Sequence, residues 1–348
     1  MKRKKSKLKY LIVLLVLLLA VGGYLFFGTS LFNGKDDKSN SKKKSAPKKP
    51  VETVKIVDMD SKNRPYAIMI NNISVARPLQ SGLQDAYIIY EMIVEGGITR
   101  YLALFQDANV DRIGPVRSAR HYYLDYALEN DAIYCHNGNS PQAAADFSNL
   151  GIDRIEVEAP KTGIRDKSLN VSREHTLFTS TSLLANGIGK KRTTRNKDYL
   201  LNYSVKPVDI ASKEGAIAAN SVSIRYSNNT TSSYQYDPET KVYKRFVNGR
   251  EHTDYVTKNQ YTFKNIITYQ IKNTTLNDGE NKGRQTLHNI GSGTGYYITE
   301  GYAVPITWEK ADRKSQTIYK YNDGTEIKVN DGNTFIQIQP QGETLTIQ

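Results

Sequence analysis

The sequence predicts an α+β protein: a mixed α/β N-terminal domain followed by a β-rich C-terminal domain, behind an N-terminal transmembrane helix. Three patterns indicate this. Tyr10–Phe27 carries no charge, and at about 1.5 Å of rise per residue it is long enough to span a bilayer. Strand and helix patterns alternate over 51–200, whereas helical spacing disappears over 214–348. The 348 residues are sufficient for two domains with separate cores.

The N-terminal segment indicates where the protein resides. Residues 1–9 hold six basic side chains before the apolar run. Because positive flanks stay cytoplasmic, we expect a single-pass cell-membrane protein whose later domains are extracytoplasmic. A cleaved signal peptide is the alternative, since Ala20-Val21-Gly22 has small outer residues. The apolar run continues to Phe27, longer than a usual signal-peptide core, which favours an uncleaved anchor over 10–27.

Charge and composition exclude some classes of protein. Residues 28–50 form a Lys/Ser-rich segment with few apolar side chains, which predicts a disordered linker. Residues 1–50 hold 13 of the 48 basic residues and 2 of the 35 acidic residues, so 51–348 is nearly neutral. A general nucleic-acid binder needs a basic face on its folded domain, and this balance disfavours one. The single cysteine excludes an internal disulfide.

The N-terminal domain is predicted from alternating strand and helix signals. Gly96 and Gly97 lie between two apolar runs and favour a tight turn in a hairpin. Ser140 is placed to cap a helix, with Pro141 at its first position and Gly151 just past its end. The predicted strands are Tyr66–Ile70, Tyr87–Val94, Arg100–Gln106, Ala132–Cys135 and Ile152–Val157, and the other predicted helices are Ala119–Glu129 and Thr181–Asn186.

The C-terminal domain is predicted to be all or nearly all β. Asn248-Gly249 and two Asn-Asp-Gly triplets are strong turn signals, so we expect 317–339 to form two consecutive hairpins. The predicted strands are Val222–Tyr226, Ser233–Tyr236, Val242–Val247, Tyr261–Ile271, Gly295–Thr299, Val304–Glu309, Thr317–Tyr321, Glu326–Val329 and Thr334–Gln339.

Several segments resemble one bacterial family. RPYAIMINN, ARPLQSGLQDAYIIYE, VEGGITRYLALFQ, IGPVRSARHYYLD and HNGNSPQA closely resemble the YerB family of envelope proteins, which has a two-part domain of the DUF3048 type. The resemblance implies a two-part fold and a cell-envelope location of a Gram-positive type, and no established reaction. Many members are lipoproteins, but a lipidation site needs a Cys after the apolar run. The single cysteine here is Cys135, so we expect the helix to be the anchor.

The strongest candidate site is a group of basic residues after Gly114-Pro115. Ser118 is a plausible N-cap of the following helix, which would place Arg117, Arg120 and His121 near unpaired backbone amides. With Arg100, these side chains predict a binding site for carboxylate or phosphate. The alternative is internal pairing with Glu91, Glu95 or Asp125, and the sequence leaves both open.

A second candidate is the polar loop after Cys135. His136, Asn137 and Ser140 lead into the predicted helix, where backbone amides could hold an anion. The alternative is a helix start that is capped and nothing more. Cys135 follows apolar neighbours, which predicts a buried thiol rather than a nucleophile.

Catalysis is a weaker hypothesis. Glu91 and Glu95 lie four apart, and with His121 they could serve as acid–base groups if a neighbour raised one carboxyl pKa. Pairing of these carboxylates with nearby arginines is the alternative. The histidines lack the spacing of a zinc site, so no metal and no cofactor are predicted.

The sequence therefore leads to two functional hypotheses. The first is a membrane-anchored binding or scaffold protein of the envelope, which recognises a cell-wall polymer or a peptidoglycan-synthesis protein. The second is a metal-independent hydrolase or transferase acting on an anionic wall substrate. Nucleic acid is not an expected partner.

Overall fold

A computed structural model describes residues 52–348, which are rich in β-strands. The α-helices in this part are α1 (His121–Glu129), α2 (Pro141–Leu150) and α3 (Thr181–Ala185). The first eight strands are β1 (Tyr66–Asn71), β2 (Ile88–Ile93), β3 (Thr99–Phe105), β4 (Ile133–His136), β5 (Arg154–Glu156), β6 (Ile164–Arg165), β7 (Leu177–Phe178) and β8 (Asn202–Ser204).

The rest of the chain consists of strands and their connections. These strands are β9 (Ile217–Ala218), β10 (Ser221–Ser227), β11 (Thr230–Asp237), β12 (Val242–Val247), β13 (Arg250–Glu251), β14 (Thr262–Phe263), β15 (Asn265–Ile271), β16 (Asn273–Thr275), β17 (Gln285–Leu287), β18 (Gly291–Thr299), β19 (Tyr302–Lys310), β20 (Ile318–Tyr321), β21 (Lys328–Asn330), β22 (Thr334–Pro340) and β23 (Leu345–Ile347).

A large mixed sheet runs through both halves of the sequence. Its order is β20-β19-β18-β15-β22-β2-β3-β1-β4-β5, with β9 paired to β19. Strand β22 lies between β15 and β2 and is parallel to both. All seven of its residues are buried, as expected for a strand covered on both faces. This late strand therefore joins the early strands to the C-terminal ones in a single sheet.

A smaller sheet packs on one face of the large one. Its order is β13-β12-β11-β10-β23, with β14 paired to β12. Strand β10 alternates between buried and partly exposed residues, so one of its faces points into the core. The Tyr226 hydroxyl, on this strand, donates to the Gln337 side chain of β22 at 2.7 Å. The core between the two sheets thus contains polar as well as apolar contacts.

Helix α1 covers the opposite face of the large sheet. The Tyr122 hydroxyl donates to the Ile93 carbonyl and the Tyr123 hydroxyl to the Arg100 carbonyl, both at 2.7 Å. Side chains alternate along β2, because successive residues of a strand point to opposite faces. Tyr90 donates to Glu129 of α1 at 2.6 Å, whereas Glu91 points towards the smaller sheet. Strand β2 is therefore buried on both faces.

Several local predictions are confirmed. Strands β2 and β3 form the predicted antiparallel hairpin, and Gly96 and Gly97 at its turn have φ of 66° and 69°. Helix α2 begins at Pro141 after Ser140, whose hydroxyl accepts from the Ala143 amide at 3.2 Å. It ends before Gly151, which has φ of 63°. These features depend on neighbours in sequence, which is why the residue types alone predicted them.

Two predictions about the C-terminal strands need correction. Of the two hairpins predicted over 317–339, the first is partly present, because Lys320 and Glu326 form an antiparallel bridge across its turn before β21 pairs in parallel with β8. The second does not form, because β22 pairs with β15 and β2 instead of with β21. The predicted strand Tyr261–Ile271 is two strands, β14 and β15, which belong to different sheets.

The remaining predictions concern domain boundaries and the anchor. Separation of 51–200 from 214–348 stays a prediction about sequence organisation; in the structure, strands from both ranges share the large sheet. The predicted basic segment 1–9, anchor 10–27 and linker 28–50 lie outside the described residues. Within 52–348, no helix has the length and apolar character needed to cross a membrane.

Candidate functional site: an arginine surface at the end of the first strand

The segment from Gly114 to Arg120 is extended, which corrects the predicted helix start. Its backbone pairs with the end of β1, since the Asn71 amide donates to the Pro115 carbonyl and the Arg117 amide to the Met69 carbonyl, both at 2.9 Å. Helix α1 begins only at His121, and Ser118 does not cap it. Because backbone N–H and C=O groups of this segment bond to β1, they are not available for the hydrogen bonds of a helix. Arg117, Arg120 and His121 therefore do not share a helical face.

The extended segment nevertheless brings the predicted arginines together. The Arg120 Nε lies 2.5 Å from Glu95 Oε1, and the Arg100 Nη2 lies 3.8 Å from Glu95 Oε2. Arg100 also donates from Nη1 to the Ser118 carbonyl at 2.6 Å. We call Arg100, Arg117 and Arg120, with their carboxylates, the arginine surface. The predicted alternative of internal pairing is present for Glu95, but not for Glu91 or Asp125.

The third arginine has a different kind of partner. Arg117 Nη2 lies 2.8 Å from Glu174 Oε2, and the Glu174 side chain is 54% exposed. Sequence reasoning missed Glu174, because it lies on the turn Arg173–His175, far along the chain. The adjacent His175 is buried and accepts at Nδ1 from the Asn71 amide group at 2.9 Å. This contact fixes the turn beside β1 and so positions Glu174.

The charges of the arginine surface do not balance. Three guanidinium groups face the two carboxylates of Glu95 and Glu174. Burial, together with the charge of Arg120, lowers the pKa of Arg100 to about 10. Burial opposes ionisation of Glu95, but its hydrogen bond to Arg120 and the charge of that arginine lower its pKa overall. An added anion would therefore reduce the repulsion among the arginines.

Buried donors without partners lie at the same place. Within residues 52–348, Arg100 Nε and Arg117 Nε are buried and have no hydrogen-bond partner. Arg100 is only 5% exposed. Since buried donors in folded proteins are normally satisfied, these groups are candidates to bind water or an oxyanion.

The predicted loop from His136 to Ser140 lies directly beside the arginines. The Asn137 amide donates to the Arg117 carbonyl at 3.1 Å, and the Ala119 amide donates to the Gly138 carbonyl at 2.9 Å. The Ser140 amide donates to the Ala119 carbonyl at 3.2 Å. The Ser140 amide is therefore occupied by a backbone carbonyl and is not free to hold an anion, in agreement with the predicted alternative of a capped helix start. The Asn137 side chain donates to the Val157 carbonyl.

His136 itself is buried beneath the loop. Its Nδ1 lies 2.9 Å from the Gly138 carbonyl and 3.5 Å from Glu156 Oε2, and its ring stacks on Phe147. Burial lowers its pKa, although Glu156 opposes this. A buried ring in these contacts supports the loop rather than facing a ligand.

Two family profiles cover most of the described chain. Residues 52–195 match the family described as "Protein of unknown function (DUF3048) N-terminal domain", and residues 222–336 match its C-terminal domain. The chain belongs to the DUF3048 family. This confirms the resemblance expected from the segments between Arg64 and Ala143.

The YerB protein of Bacillus subtilis matches this DUF3048 protein both in sequence and in structure. A protein of strain 168 named "Putative lipoprotein YerB" is 28% identical over 319 residues, which are 86% of this chain and 88% of the relative. The crystal structure of the YerB protein from Bacillus subtilis superposes with a TM-score of 0.69 at 26% identity, over 82% of this chain and 94% of that one. The likeness thus extends over most of both chains.

The predicted catalytic trio of this DUF3048 protein is not brought together. Glu91 is fully buried between the sheets and pairs with Arg245 at 2.7 Å, whereas Glu95 pairs with Arg120 at the surface. His121 Nε2 lies 3.1 Å from the Thr286 hydroxyl, and burial lowers the pKa of His121. The predicted pairing of carboxylates with arginines is what the structure contains, although Arg245 was not among the candidates.

Cys135 and Ser140, the other candidate reactive side chains, take part in core packing and helix capping. Cys135 is fully buried, as predicted, and burial raises the pKa of its thiol. Ser140 accepts the Ala143 amide as an N-cap. Within residues 52–348, no group of three or more His, Cys, Asp or Glu side chains is arranged to hold a metal ion.

Proposed function

We propose that this protein is an extracytoplasmic binding protein of the cell envelope, and that its arginine surface recognises an oxyanion on a cell-wall polymer. One observation carries the proposal: three clustered guanidinium groups face two carboxylates, and two of the three retain a buried Nε without a partner. Guanidinium groups present a planar fork that matches carboxylate or phosphate.

The proposed location is supported by the relative and by the sequence. The Bacillus subtilis relative is named a putative lipoprotein, and lipoproteins are held at a membrane. In this chain the proposed anchor is the apolar run Tyr10–Phe27, since the single cysteine, Cys135, does not lie directly after it. Because positive flanks stay cytoplasmic, the six basic residues before the run support a cytoplasmic start and an extracytoplasmic DUF3048 part, as expected for a Gram-positive membrane protein.

The proposed binding step begins at Arg117. Its partner Glu174 is more than half exposed, so separating the two charges costs little. The oxyanion replaces Glu174 on Arg117 and approaches Arg100, whose pKa is already lowered by burial and by neighbouring positive charge. Glu95 stays in place because Arg120 and Arg100 both hold it.

Binding fits the contacts better than acid–base catalysis does. The hydrolase hypothesis needs a carboxylate near His121 that is not held in an ion pair. Glu91 is enclosed with Arg245, and Glu95 is held by Arg120. A binding site needs only the uncompensated positive charge and the unpartnered donors.

Calorimetric titration of the full-length protein in detergent tests the proposal. The probes are poly(glycerol phosphate), which offers phosphate, and purified muropeptides, which offer carboxylates. We expect one of them to bind, and we expect Arg117→Ala and the double variant Arg117→Ala/Arg120→Ala to abolish the binding. Affinity should also fall as salt rises, because the interaction is between charges.

Arg173→Ala is the matched control. Arg173 is exposed, lies beside Glu174 and forms no ion pair within residues 52–348, so its loss should leave binding unchanged. The proposal is wrong if neither probe binds, or if binding survives the double variant. Capture of a wall-synthesis protein that depends on Arg117, without polymer binding, would assign the surface to a protein partner instead.

A further inference from the structure

A large cavity in the described part of the chain has a different lining from the arginine surface. It is an open groove of about 1090 Å³, lined by Met59, Lys62 and residues from 195–202, 309–319 and 326–327. We call it the polar groove. Its walls come from both family-matched regions and from the start of the segment between them. None of the arginine-surface residues lines it.

The groove is unusual in how its charges are arranged. Four basic side chains, among them Lys62 and Lys314, and four acidic ones, among them Glu309 and Glu326, line it. Within residues 52–348, none of the eight forms an ion pair. By contrast, each arginine of the arginine surface has a carboxylate partner. Lys197 is held by two carbonyls, Arg195 by the Tyr199 ring and Asp312 by two backbone amides. The remaining charges, which are of both signs, are available to a ligand in the groove.

Some of the walls are held firmly by contacts beneath the charges. The Lys197 ammonium donates to the Leu128 carbonyl at 2.9 Å and to the Lys314 carbonyl. The Gln316 side chain donates to the Asp198 carbonyl at 3.0 Å, which joins one wall to the other. The Tyr199 hydroxyl donates to the Asp58 carbonyl at 2.6 Å. These contacts keep the groove formed; they use the Lys197 charge but not those of Lys62, Glu309 and Glu326.

The lining also offers apolar contacts but no open aromatic face. Met59 and Ile318 are 46% and 39% exposed, which is high for large apolar side chains. Tyr199 is covered by the Arg195 guanidinium, which lies 3.7 Å from its ring centre, and Tyr319 is buried. Stacking of a sugar ring on an aromatic face is therefore not available. Exposed apolar side chains between charges of both signs suit a peptide instead.

We infer that the polar groove binds an extended peptide segment that carries both basic and acidic side chains. Such a segment places its charges against the unpaired lining charges of opposite sign and its apolar side chains against Met59 and Ile318. A uniformly anionic polymer would meet as many acidic as basic lining residues, so it gains little here. The groove thus takes a different class of ligand from the arginine surface.

A peptide selection on the full-length protein in detergent tests this inference. Beads carrying random octapeptides are sorted for retention of the labelled protein, and the retained peptides are sequenced and their affinities measured. We expect enrichment of peptides that hold both Lys or Arg and Asp or Glu. The charge-reversal variant Lys314→Glu/Glu326→Lys should weaken the selected peptides by about tenfold or more.

Two controls separate the groove from other charges. Lys272→Glu changes an exposed lysine outside the groove, and Arg117→Ala changes the arginine surface; neither should affect the selected peptides. The inference is overturned if no octapeptides are retained, if the retained peptides carry charge of one sign alone, or if their affinities are the same in the charge-reversal variant. Loss of binding in Arg117→Ala would also overturn it.

Discussion

Glu91 and Arg245 form an ion pair in the interior between the two sheets. Glu91 Oε2 lies 2.7 Å from Arg245 Nη2, and both side chains are fully buried. The Ser232 hydroxyl also donates to Glu91 Oε2 at 2.8 Å, and the Thr99 hydroxyl donates to the other oxygen at 2.6 Å. Glu91 lies in the N-terminal family-matched region and Arg245 in the C-terminal one. The ion pair therefore connects the two regions, and both oxygens of the Glu91 carboxylate have partners.

Arg245→Met should destabilise the protein strongly. It leaves the Glu91 carboxylate buried without its cation, and breaking one side of a buried pair typically costs about 3–5 kcal/mol. We expect the free energy of unfolding to fall by about that amount, measured by urea denaturation of the full-length protein. A fall of less than about 1 kcal/mol would mean that the pair is not buried as described.

The double variant Glu91→Gln/Arg245→Met should cost less than the sum of the two single changes. Replacing both members removes the uncompensated charge as well as the attraction, so the two effects are coupled. The same denaturation series measures this coupling. Additive costs would show that Glu91 and Arg245 do not interact.

The arginines of the surface should contribute unequally to stability. Arg117→Ala breaks a pair whose Glu174 side chain is 54% exposed, so we expect a change of only about 0–1 kcal/mol. Arg120→Ala should cost more, because its partner Glu95 is only 18% exposed and would keep only the longer pair with Arg100. Thermal unfolding of both variants checks the order, and equal or reversed losses would contradict it.

Acid should destabilise the protein through its buried histidines. Burial lowers the pKa of His252 well below 6.5, and the positive charges of Arg245 and Arg77 lower it further. Below about pH 6.5 the unfolded chain takes up a proton on this ring, whereas the folded chain does not, so stability present above that pH is lost as the pH falls. We expect His252→Gln to reduce the pH slope of unfolding by up to about 1.4 kcal/mol per pH unit.

Denaturation at about pH 5 and about pH 8 measures that slope in the wild type and the variant. Because the other titrating groups are common to both proteins, they cancel in the comparison. An unchanged slope would show that folding does not lower the pKa of His252.

Gly138 should be required for the loop beside the arginine surface. It has φ of +75°, and a Cβ there would lie 3.1 Å from the Ser118 hydroxyl oxygen. Gly138→Ala should therefore cost about 1–2 kcal/mol from the backbone conformation and also displace the segment that carries Arg117. We expect both lower stability and weaker binding of the wall-polymer probe.

Gly151→Ala is the matched control for this change. Gly151 has φ of +63°, but a Cβ there would meet no atom within 4 Å. It should show a similar loss of stability and unchanged binding. Weakened binding in both variants would indicate a general loss of folding rather than a local displacement.

Local signals predicted much of the fold. The hairpin of β2 and β3 follows from Gly96 and Gly97, and helix α2 follows from Ser140, Pro141 and Gly151, because turns and caps involve residues close in sequence. The start of α1 was mispredicted for the same reason. Ser118 has the properties of a cap, but backbone pairing of its segment with β1 replaces helix there.

The candidate site was predicted only in part. Arg100, Arg117 and Arg120 were recognised by their type and density, and the structure places Arg100 and Arg120 around Glu95. Glu174 and the groove walls were not predictable, because each depends on segments far apart in sequence. No local pattern indicates which carboxylate a given arginine will meet after folding.

The sequence by itself determined the strand-rich character, the near neutrality of 51–348, the resemblance to the DUF3048 family and the turns and caps. Tertiary structure alone decided that β22 lies between β15 and β2, that Glu91 is paired with Arg245, and that the polar groove keeps unpaired charges. The physical reason is range: propensities and caps act over a few residues, whereas burial and ion pairing depend on which distant strands become neighbours.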